Sequence, residues 1–469
     1  MKKVIIIGGG ISGLATAWLL RDRARAAGIE LDLALLEKEE LPGGKIRSIR
    51  EEGYICEWGP NGFLDSKPQT LDLCTAIGVS GKLHRSNDNA RKRFIFSGGE
   101  LHRLPEGGPS FLKSRLISWP GKLRLALEPT PLVPGPPKGV DESLADFARR
   151  RLGREALDKL IAPMVSGIFA GDPETMSLVS CFPRIAELER DYGGLIRAMI
   201  MLARKKKQER AAGKAVSSAA GPGGVLTSFR EGIQSLTDAL AASLGEVVKP
   251  GKEVAKVARG AGGAWKIGCE DGSEHDADLV IVASPAYAAA EMLTGCDDGL
   301  SILLRQIPYA SMTVVCFGYE RERISHPLDG FGYLITKKEG RSTLGTLWDS
   351  SMFEQRAPEG KVLLRSMMGG ACFPEYVKFS DDEVVARVRK DLKATMGIDA
   401  EPSFIRIFRH PQAIPQYVVG HGKRLQALEE RLGGLPGLIL TGNSYRGIGL
   451  NDCVAAAQRA ADQVMELVR

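Results

Sequence analysis

Three glycine-rich stretches carry residues of the right type and spacing for chemistry. In Gly8-Gly9-Gly10-Ile11-Ser12-Gly13, the G-x-G-x-x-G spacing suits a dinucleotide. Gly8 permits a tight turn, Gly10 lets a diphosphate approach the backbone, and Gly13 lets a helix pack close to a strand. The free N–H groups and dipole of the following helix attract the diphosphate. Glu37 closes the next apolar run, where its carboxylate accepts hydrogen bonds from an adenosine ribose and disfavours a 2′-phosphate. Gly43-Gly44, just beyond, brings backbone near a second part of the same ligand. Near the end, Thr441-Gly442-Asn443 and Ile448-Gly449-Leu450 lead into a last helix. The positive end of that helix suits the negative charge on a reduced flavin.

These residues need particular elements behind them. Lys3–Ile7 reads as a buried parallel strand, Ile11 to Leu20 as helix and Leu31–Leu36 as the second strand of a βαβ unit. Glu57-Trp58-Gly59-Pro60-Asn61-Gly62-Phe63 is a turn too apolar for a plain surface loop, and reads as lining the ligand's ring; a simple turn is the alternative. Arg91–Leu101 is a hairpin about Gly98-Gly99. Residues 104–140 are irregular and proline-rich. Asp141 caps a helix through Arg150, with Leu144 and Phe147 inward and Gly153 ending it. Helices follow over Arg154–Ile161 and on to about Arg204. The charge run Arg204–Arg210 and the Ala/Gly/Ser stretch to Gly224 read as a solvated linker without a binding role. An α/β pattern then returns, with a buried strand Asp278–Ala283, and residues 307–370 read as a second, antiparallel sheet.

The whole chain sets bounds. Its 469 residues suffice for two or three domains. A net charge of +6 gives no argument for nucleic acid. The eight cysteines lack metal or C-x-x-C spacing and read as reduced, buried thiols; the six histidines show no paired spacing, so no metal site is expected. The longest uncharged run, Val4 to Leu20, is 17 residues and already belongs to the βα unit, which argues against a signal peptide or membrane span. Between Arg85 and Arg124, nine Arg/Lys face three acids, and Phe111–Leu125 interleaves apolar and basic residues around Trp119 with no acid. That composition suits an anionic membrane surface; a solvated helix pair is the alternative.

Taken together the chain resembles the flavin-dependent, oxygen-dependent protoporphyrinogen oxidases and their bacterial coproporphyrinogen oxidase relatives. The most specific motifs are Val165-Ser166-Gly167-Ile168-Phe169-Ala170-Gly171-Asp172-Pro173 and Tyr445-Arg446-Gly447-Ile448-Gly449-Leu450-Asn451-Asp452-Cys453, with Ile414-Pro415-Gln416-Tyr417 beside them. The nucleotide loop and Gly43–Ser48 are shared with amine oxidases and carotene desaturases.

The resemblance implies an α/β fold with three parts. A discontinuous Rossmann-like FAD-binding domain comprises 1–82, 222–300 and 403–469. A mixed or antiparallel substrate domain comprises 83–110 and 301–402, and a helical, membrane-associating insert comprises 111–221. It implies FAD on Gly8–Gly13, Glu37 and Lys38, with Gly43, Gly44, Lys45 and Gly59-Pro60-Asn61-Gly62 toward the flavin. Val254 is implied to hold adenine through its backbone, and Gly442, Asn443, Ile448, Gly449 and Leu450 to meet the flavin side. Arg93 is implied to grip a substrate propionate; a guanidinium forks well onto a carboxylate. Leu334, Leu347 and Met367 are implied to sandwich a tetrapyrrole, with Asn61 beside it. Met367 stands where relatives can carry Phe, His410 where some carry an aromatic, and Asn443 where wider flavoprotein patterns carry Asp.

The implied activity is six-electron oxidation of protoporphyrinogen IX to protoporphyrin IX, three hydrides passing to FAD and O2 or another acceptor regenerating it. No protein base is singled out, because the cofactor carries the redox chemistry. Coproporphyrinogen III is the alternative substrate. A flavin amine oxidase, a carotenoid desaturase and an FAD-bound membrane scaffold without turnover are rival readings. The implied setting is cytoplasmic and peripheral on the inner face of the cell membrane. The resemblance is compatible with a homodimer and with handover of product to ferrochelatase.

Overall fold

The structure is a computed structural model and describes residues 1–137, 139–211, 224–260 and 262–469. The Ala/Gly/Ser part of the expected linker, and with it the expected boundary at 221/222, lies largely outside the described residues.

The nucleotide unit forms because its strands are apolar on both sides. Lys2–Ile7 is central in a parallel sheet ordered Val248–Lys249, Leu31–Leu36, Lys2–Ile7, Leu279–Val282, Leu438–Leu440. In chain order this is 3-2-1-4-5, so the direction of winding reverses beside the first strand. Val4 and Ile6 enter one core cluster with the helices Ile11–Ala26, Gln234–Leu244 and Leu450–Val468. Ile5 and Ile7 enter the other, against an antiparallel sheet (Val254–Arg259, Trp265–Cys269, Glu274–Ala277) and the helices Ala286–Met292 and Asp298–Arg305. Burial on both faces explains the unbroken Val-Ile-Ile-Ile run. Each such side chain contributes about 1.5–3 kcal/mol.

The second sheet has seven strands, in the order Phe404–Pro415, Tyr309–Glu320, Lys361–Gly369, Thr343–Leu347, Gly332–Ile335, Arg93–Ser97, Glu100–Arg103. It is antiparallel except where Gly332–Ile335 runs parallel to Arg93–Ser97, so the sheet is mixed. That junction joins segments far apart in the chain, which frees it from the antiparallel geometry of a hairpin. Two further pairings join segments distant in the chain. Phe404–Pro415 pairs along Tyr309–Glu320 in the seven-stranded sheet, and Leu83–Arg85 pairs with Leu226–Phe229. One face of the sheet is closed by the helix Asp381–Met396, which has a Ser380/Glu383 capping box and a left-handed Gly397.

The insert is helical, as expected, with three local differences. Ser143, not Asp141, caps Leu144–Arg151; Asp141 instead accepts from Ser177 Oγ and the Gly420 N–H. A π-turn over Leu157–Ile161 joins Arg154–Ala156 to Ala162–Phe169, ahead of Pro163, which has no N–H to give. Leu195–Ala211 is one helix, so the charge run Arg204–Arg210 is helical and not a linker. Its Lys, Arg, Gln and Glu are good helix formers. Among the described residues no helix is long and apolar enough to cross a membrane.

Candidate active site

The glycine loop is built as its residue types demand. Gly8 has φ +105°, and a Cβ on Gly13 would stand 1.9 Å from the Gly8 carbonyl oxygen. A Cβ on Gly10 would meet open space. Gly43 donates its N–H to the Gly9 carbonyl and bridges Gly10, so the Gly43-Gly44 pair lies directly on this loop. The Gly9 N–H donates to Glu37 Oε2, and the Glu39 N–H to Oε1 at 2.9 Å. Gly9 therefore orients the acid, and its own N–H is engaged. Lys252 donates its N–H to the Glu37 carbonyl, which brings the segment leading to Val254 beside Glu37. Lys38 points outward, its side chain 61% exposed and paired with Glu39. Ile11 and Leu450 are packed into the core, leaving their backbone for a ligand.

The last helix is less positive at its start than its dipole alone predicts. Asp452, in its first turn, accepts the Gly449 N–H and pairs with Lys67 Nζ at 2.7 Å. Ile448 packs against the insert cluster containing Phe169 and Tyr417. The Asn443 carbonyl accepts from Tyr417 OH. Gly442 lies against Ser12: a Cβ there would be 3.7 Å from Ser12 Oγ.

Several polar atoms along this path lack partners among the described residues. Ser284 Oγ and Thr441 Oγ1, just past the ends of the strands Leu279–Val282 and Leu438–Leu440, are buried without hydrogen bonds. Asn61 Oδ1 is in the same condition. Buried hydroxyls and amides normally find partners. These, with the open space over Gly10 and the acid at the end of the second strand, fit a long, polar dinucleotide.

Lys45 reaches from the Gly43-Gly44 turn to the carbonyl oxygens of Gln412 and Ala413, at 2.5 and 2.6 Å, with Tyr309 5.5 Å away. Burial lowers its pKa to about 8. His410 Nε2 lies 2.9 Å from the Trp58 carbonyl. A carbonyl only accepts, so this nitrogen carries the proton. Burial pulls the His410 pKa down, which keeps the ring neutral.

The Glu57–Gly62 loop rests on a buried charge network. Glu57 meets Arg356 at 3.0 Å and Ser48 Oγ at 2.6 Å, and accepts the Ile233 N–H. Asp349 meets Arg365 at 2.9 Å, and Arg365 donates to the carbonyls of Glu57 and Gly59. Asn61 Nδ2 donates to Asp349 Oδ1. Sequence reasoning missed Asp349, Arg356 and Arg365. The available signal was Arg365, a charge in mid-strand within Val362-Leu363-Leu364-Arg365-Ser366-Met367. Desolvating such charges is expensive unless they are paired, so breaking one pair costs about 3–5 kcal/mol.

The four residues expected at the tetrapyrrole share one face of the seven-stranded sheet. One cross-strand row runs Arg93, Gly332, Leu347, Arg365; the next runs Ile95, Leu334, Gly345, Met367. Paired residues, and residues two apart, point to the same side of a sheet. Arg93 is exposed, has Phe331 5.1 Å from its guanidinium and meets no carboxylate among the described residues. The apolar three do not pack on one another. Leu334 lies against Gly167 of the insert, Leu347 beside Phe331 and Phe353, and Met367 in the cluster of Trp58. The helix Ala162–Phe169 lies over the strands Gly332–Ile335 and Thr343–Leu347.

A sequence-family model for flavin-containing amine oxidoreductases matches residues 11–465. The chain belongs to that family. It is 32% identical over 474 residues to coproporphyrinogen III oxidase of Bacillus subtilis (strain 168), covering 99% of this chain and 98% of that protein. It is 33% identical to the chloroplastic protoporphyrinogen oxidase of Oryza sativa subsp. japonica, covering 98% of this chain and 88% of the other. A crystal structure from Exiguobacterium sp. 255-15 superposes with a TM-score of 0.83 at 28% identity, covering 99% of this chain and 98% of that one. Reduced UDP-galactopyranose mutase, at 17% identity and a TM-score of 0.75, shares the fold. The protein is an FAD-dependent oxidoreductase with the α/β fold of this family.

Proposed function

We propose that this flavoenzyme oxidises a porphyrinogen to its porphyrin in haem biosynthesis, with protoporphyrinogen IX as substrate and O2 as acceptor. The observation that carries the reading is the sheet face on which Arg93, Leu334, Leu347 and Met367 stand in two adjacent rows. A guanidinium that meets no carboxylate among the described residues, at the edge of an apolar surface, suits a flat, greasy macrocycle bearing propionates. The names of the relatives support the same substrate class. FAD, when bound, supplies the hydride acceptor. The chain's own residues orient and shield. Gly8–Gly13, Glu37 and the Val254 segment take the dinucleotide, and Lys45, the 57–62 loop and Gly442–Leu450 flank its redox end. Arg93 anchors a propionate, and the insert helix Ala162–Phe169 covers the substrate. Holding the reactants in register accounts for much of the rate. On this reading the chain divides into FAD-binding, substrate-binding and insert parts, with Phe404–Pro415 grouped with the substrate sheet.

Coproporphyrinogen III is kept as the second substrate, because bacterial relatives of full length carry that name. The test is anaerobic mixing of purified protein with each porphyrinogen, following flavin absorbance near 450 nm and porphyrin fluorescence. Bleaching with porphyrin formation is expected, and the faster substrate is the assigned one. Flavin that stays oxidised with both would sink the proposal and turn attention to amines and polyenes.

We also infer peripheral docking on an anionic membrane through the insert. Leu112, Trp119 and Leu123 are exposed beside Lys113 and Arg115. Lys122 does not contribute: it is buried, donating to the carbonyls of Leu112 and Ser114. A second exposed apolar group, Met199 to Met201, precedes Arg204, Lys205 and Lys207 on its helix. Cosedimentation with anionic but not neutral vesicles is the expected result.

A further inference from the structure

Asn61 Oδ1 is a buried acceptor without a partner among the described residues. Leaving such a group unpaired costs about 1–3 kcal/mol. Its direction is not free. The Asn61 amide nitrogen donates to Asp349 Oδ1 at 3.2 Å, and an ionised carboxylate can only accept. The nitrogen must therefore face Asp349 and the oxygen must face away. Asp349 is itself 1% exposed and held by Arg365 Nε at 2.9 Å. The same guanidinium, through Nη1, donates to the Gly59 carbonyl at 2.9 Å and the Glu57 carbonyl at 3.3 Å. One cation thus sets the backbone of the loop and, through Asp349, the amide at its tip.

Arg365 also sits in the row Arg93, Gly332, Leu347, next to the row of Leu334 and Met367. The loop is therefore tied to the sheet whose face carries the candidate substrate residues. An ion pair buried at this point is a poor way to gain stability, since apolar replacements of such pairs are often neutral or stabilising. It is a good way to fix an orientation.

We infer that Asp349 and Arg365 are positioning residues that hold Asn61 as an oriented carbonyl acceptor for an N–H donor of the bound ligands. That chemistry has two sources in the proposed reaction: the ring N–H of the flavin and the pyrrole N–H of the porphyrinogen. A porphyrinogen ring offers N–H donors and no nitrogen acceptor, so an oriented acceptor can fix its rotation where apolar walls cannot. The substrate source rests on the proposed function; the flavin source does not.

The test is a double-mutant cycle with Asn61→Ala, Asp349→Asn and the two combined. Three readouts are taken: FAD affinity of the apoprotein, the flavin absorption bands, and KM and kcat with porphyrinogen. Asn61→Ala is expected to weaken one binding step by at least about tenfold. Asp349→Asn is expected to move the same parameter less, and the double variant to match Asn61→Ala alone, because Asp349 acts through Asn61. A raised KM with unchanged FAD affinity and kcat assigns the donor to the tetrapyrrole. Weakened FAD binding with shifted flavin bands assigns it to the flavin.

Additive effects, or an Asn61→Ala that moves neither binding step, overturn the inference. If Asp349→Asn does not fold, Arg365→Lys replaces it in the cycle, keeping the charge but shortening the reach to the Gly59 and Glu57 carbonyls. If the wild-type protein oxidises no porphyrinogen, the proposed function fails. The FAD readouts then decide the positioning role alone, and unchanged FAD binding in Asn61→Ala overturns it.

Discussion

Two regions of the molecule bury paired arginines, and they use them differently. In the insert, Arg150 and Arg151 meet three acids: Arg150 bonds Glu142 and Glu189 at 2.7 Å, and Arg151 lies 3.0 Å from Glu189 and 3.2 Å from Glu128. The remaining capacity of Glu128 is taken by the N–H groups of Leu195 and Ile196, at the start of the next helix. The cluster is closed on itself and locks Leu144–Arg151 to Pro183–Tyr192 and Leu195–Ala211. Under the 57–62 loop, Arg356 and Arg365 meet Glu57 and Asp349 one to one. Arg365 also donates to the Glu57 and Gly59 carbonyls of the loop, Arg356 donates to Ser228 Oγ and the Phe229 carbonyl, and the acceptor Asn61 Oδ1 has no partner among the described residues. A network whose cations and acids face one another across three helices builds architecture. A network that reaches loop backbone and ends at an oriented amide fixes the conformation of that loop.

The largest expected effect tests the first half of that contrast. Arg151→Met strands Glu128 and should destabilise the protein by about 3–5 kcal/mol. Denaturant midpoints measure the loss, and the flavin spectrum of the folded protein should not move. A shifted spectrum would mean that the insert cluster also shapes the site.

Lys45 gives the next largest effect and depends on pH. Its pKa is lowered to about 8 in the folded protein, below the usual 10.5. Between these values the unfolded chain binds the extra proton, so stability rises with pH over that window. Below pH 8 the buried cation costs at most about 3–4 kcal/mol. Lys45→Met should therefore gain on the wild type near pH 7 and lose that advantage by about pH 10.5. Urea midpoints across the window check it, and a reversed trend would show that Lys45 gains from being charged.

Arg93 stands for the cation that meets no acid among the described residues. Arg93→Ala should raise KM about tenfold, roughly 1.4 kcal/mol of binding. Being exposed, the change should leave stability within about 0.5 kcal/mol. An unchanged kcat/KM would remove Arg93 as the propionate anchor. The smallest effect on the fold belongs to Trp119→Ser with Leu123→Ser, also within about 0.5 kcal/mol. That pair should reduce binding to anionic vesicles, and undiminished binding would move the docking surface elsewhere, with Met199–Met201 the next to test.

The nucleotide half of the fold was legible because its signals are local. A strand, a glycine turn, a helix and an acid lie within the first 37 residues, and backbone geometry leaves few other uses for that spacing. The charge run at Arg204–Arg210 was misread because polarity suggests solvent without distinguishing a loop from an exposed helix. Asp141 was misread as a cap because Ser143, two residues on, takes that role.

The candidate substrate residues were legible only one at a time. Arg93, Leu334, Leu347 and Met367 lie on four strands, and nothing in their local patterns says that they share a face. Strand register decides it, through hydrogen bonds between segments distant in the chain.

By itself, the sequence determined the FAD-binding βαβ unit, the helical character of the insert and the family. Each follows from short-range periodicity, from glycine stereochemistry or from contiguous motifs. The tertiary structure alone decided which charges are buried and with whom, that Asp349 and Arg365 hold the 57–62 loop, and that Asn61 turns its oxygen away from them. Those outcomes depend on desolvation and on hydrogen-bond direction, and neither exists until distant segments have been brought into contact.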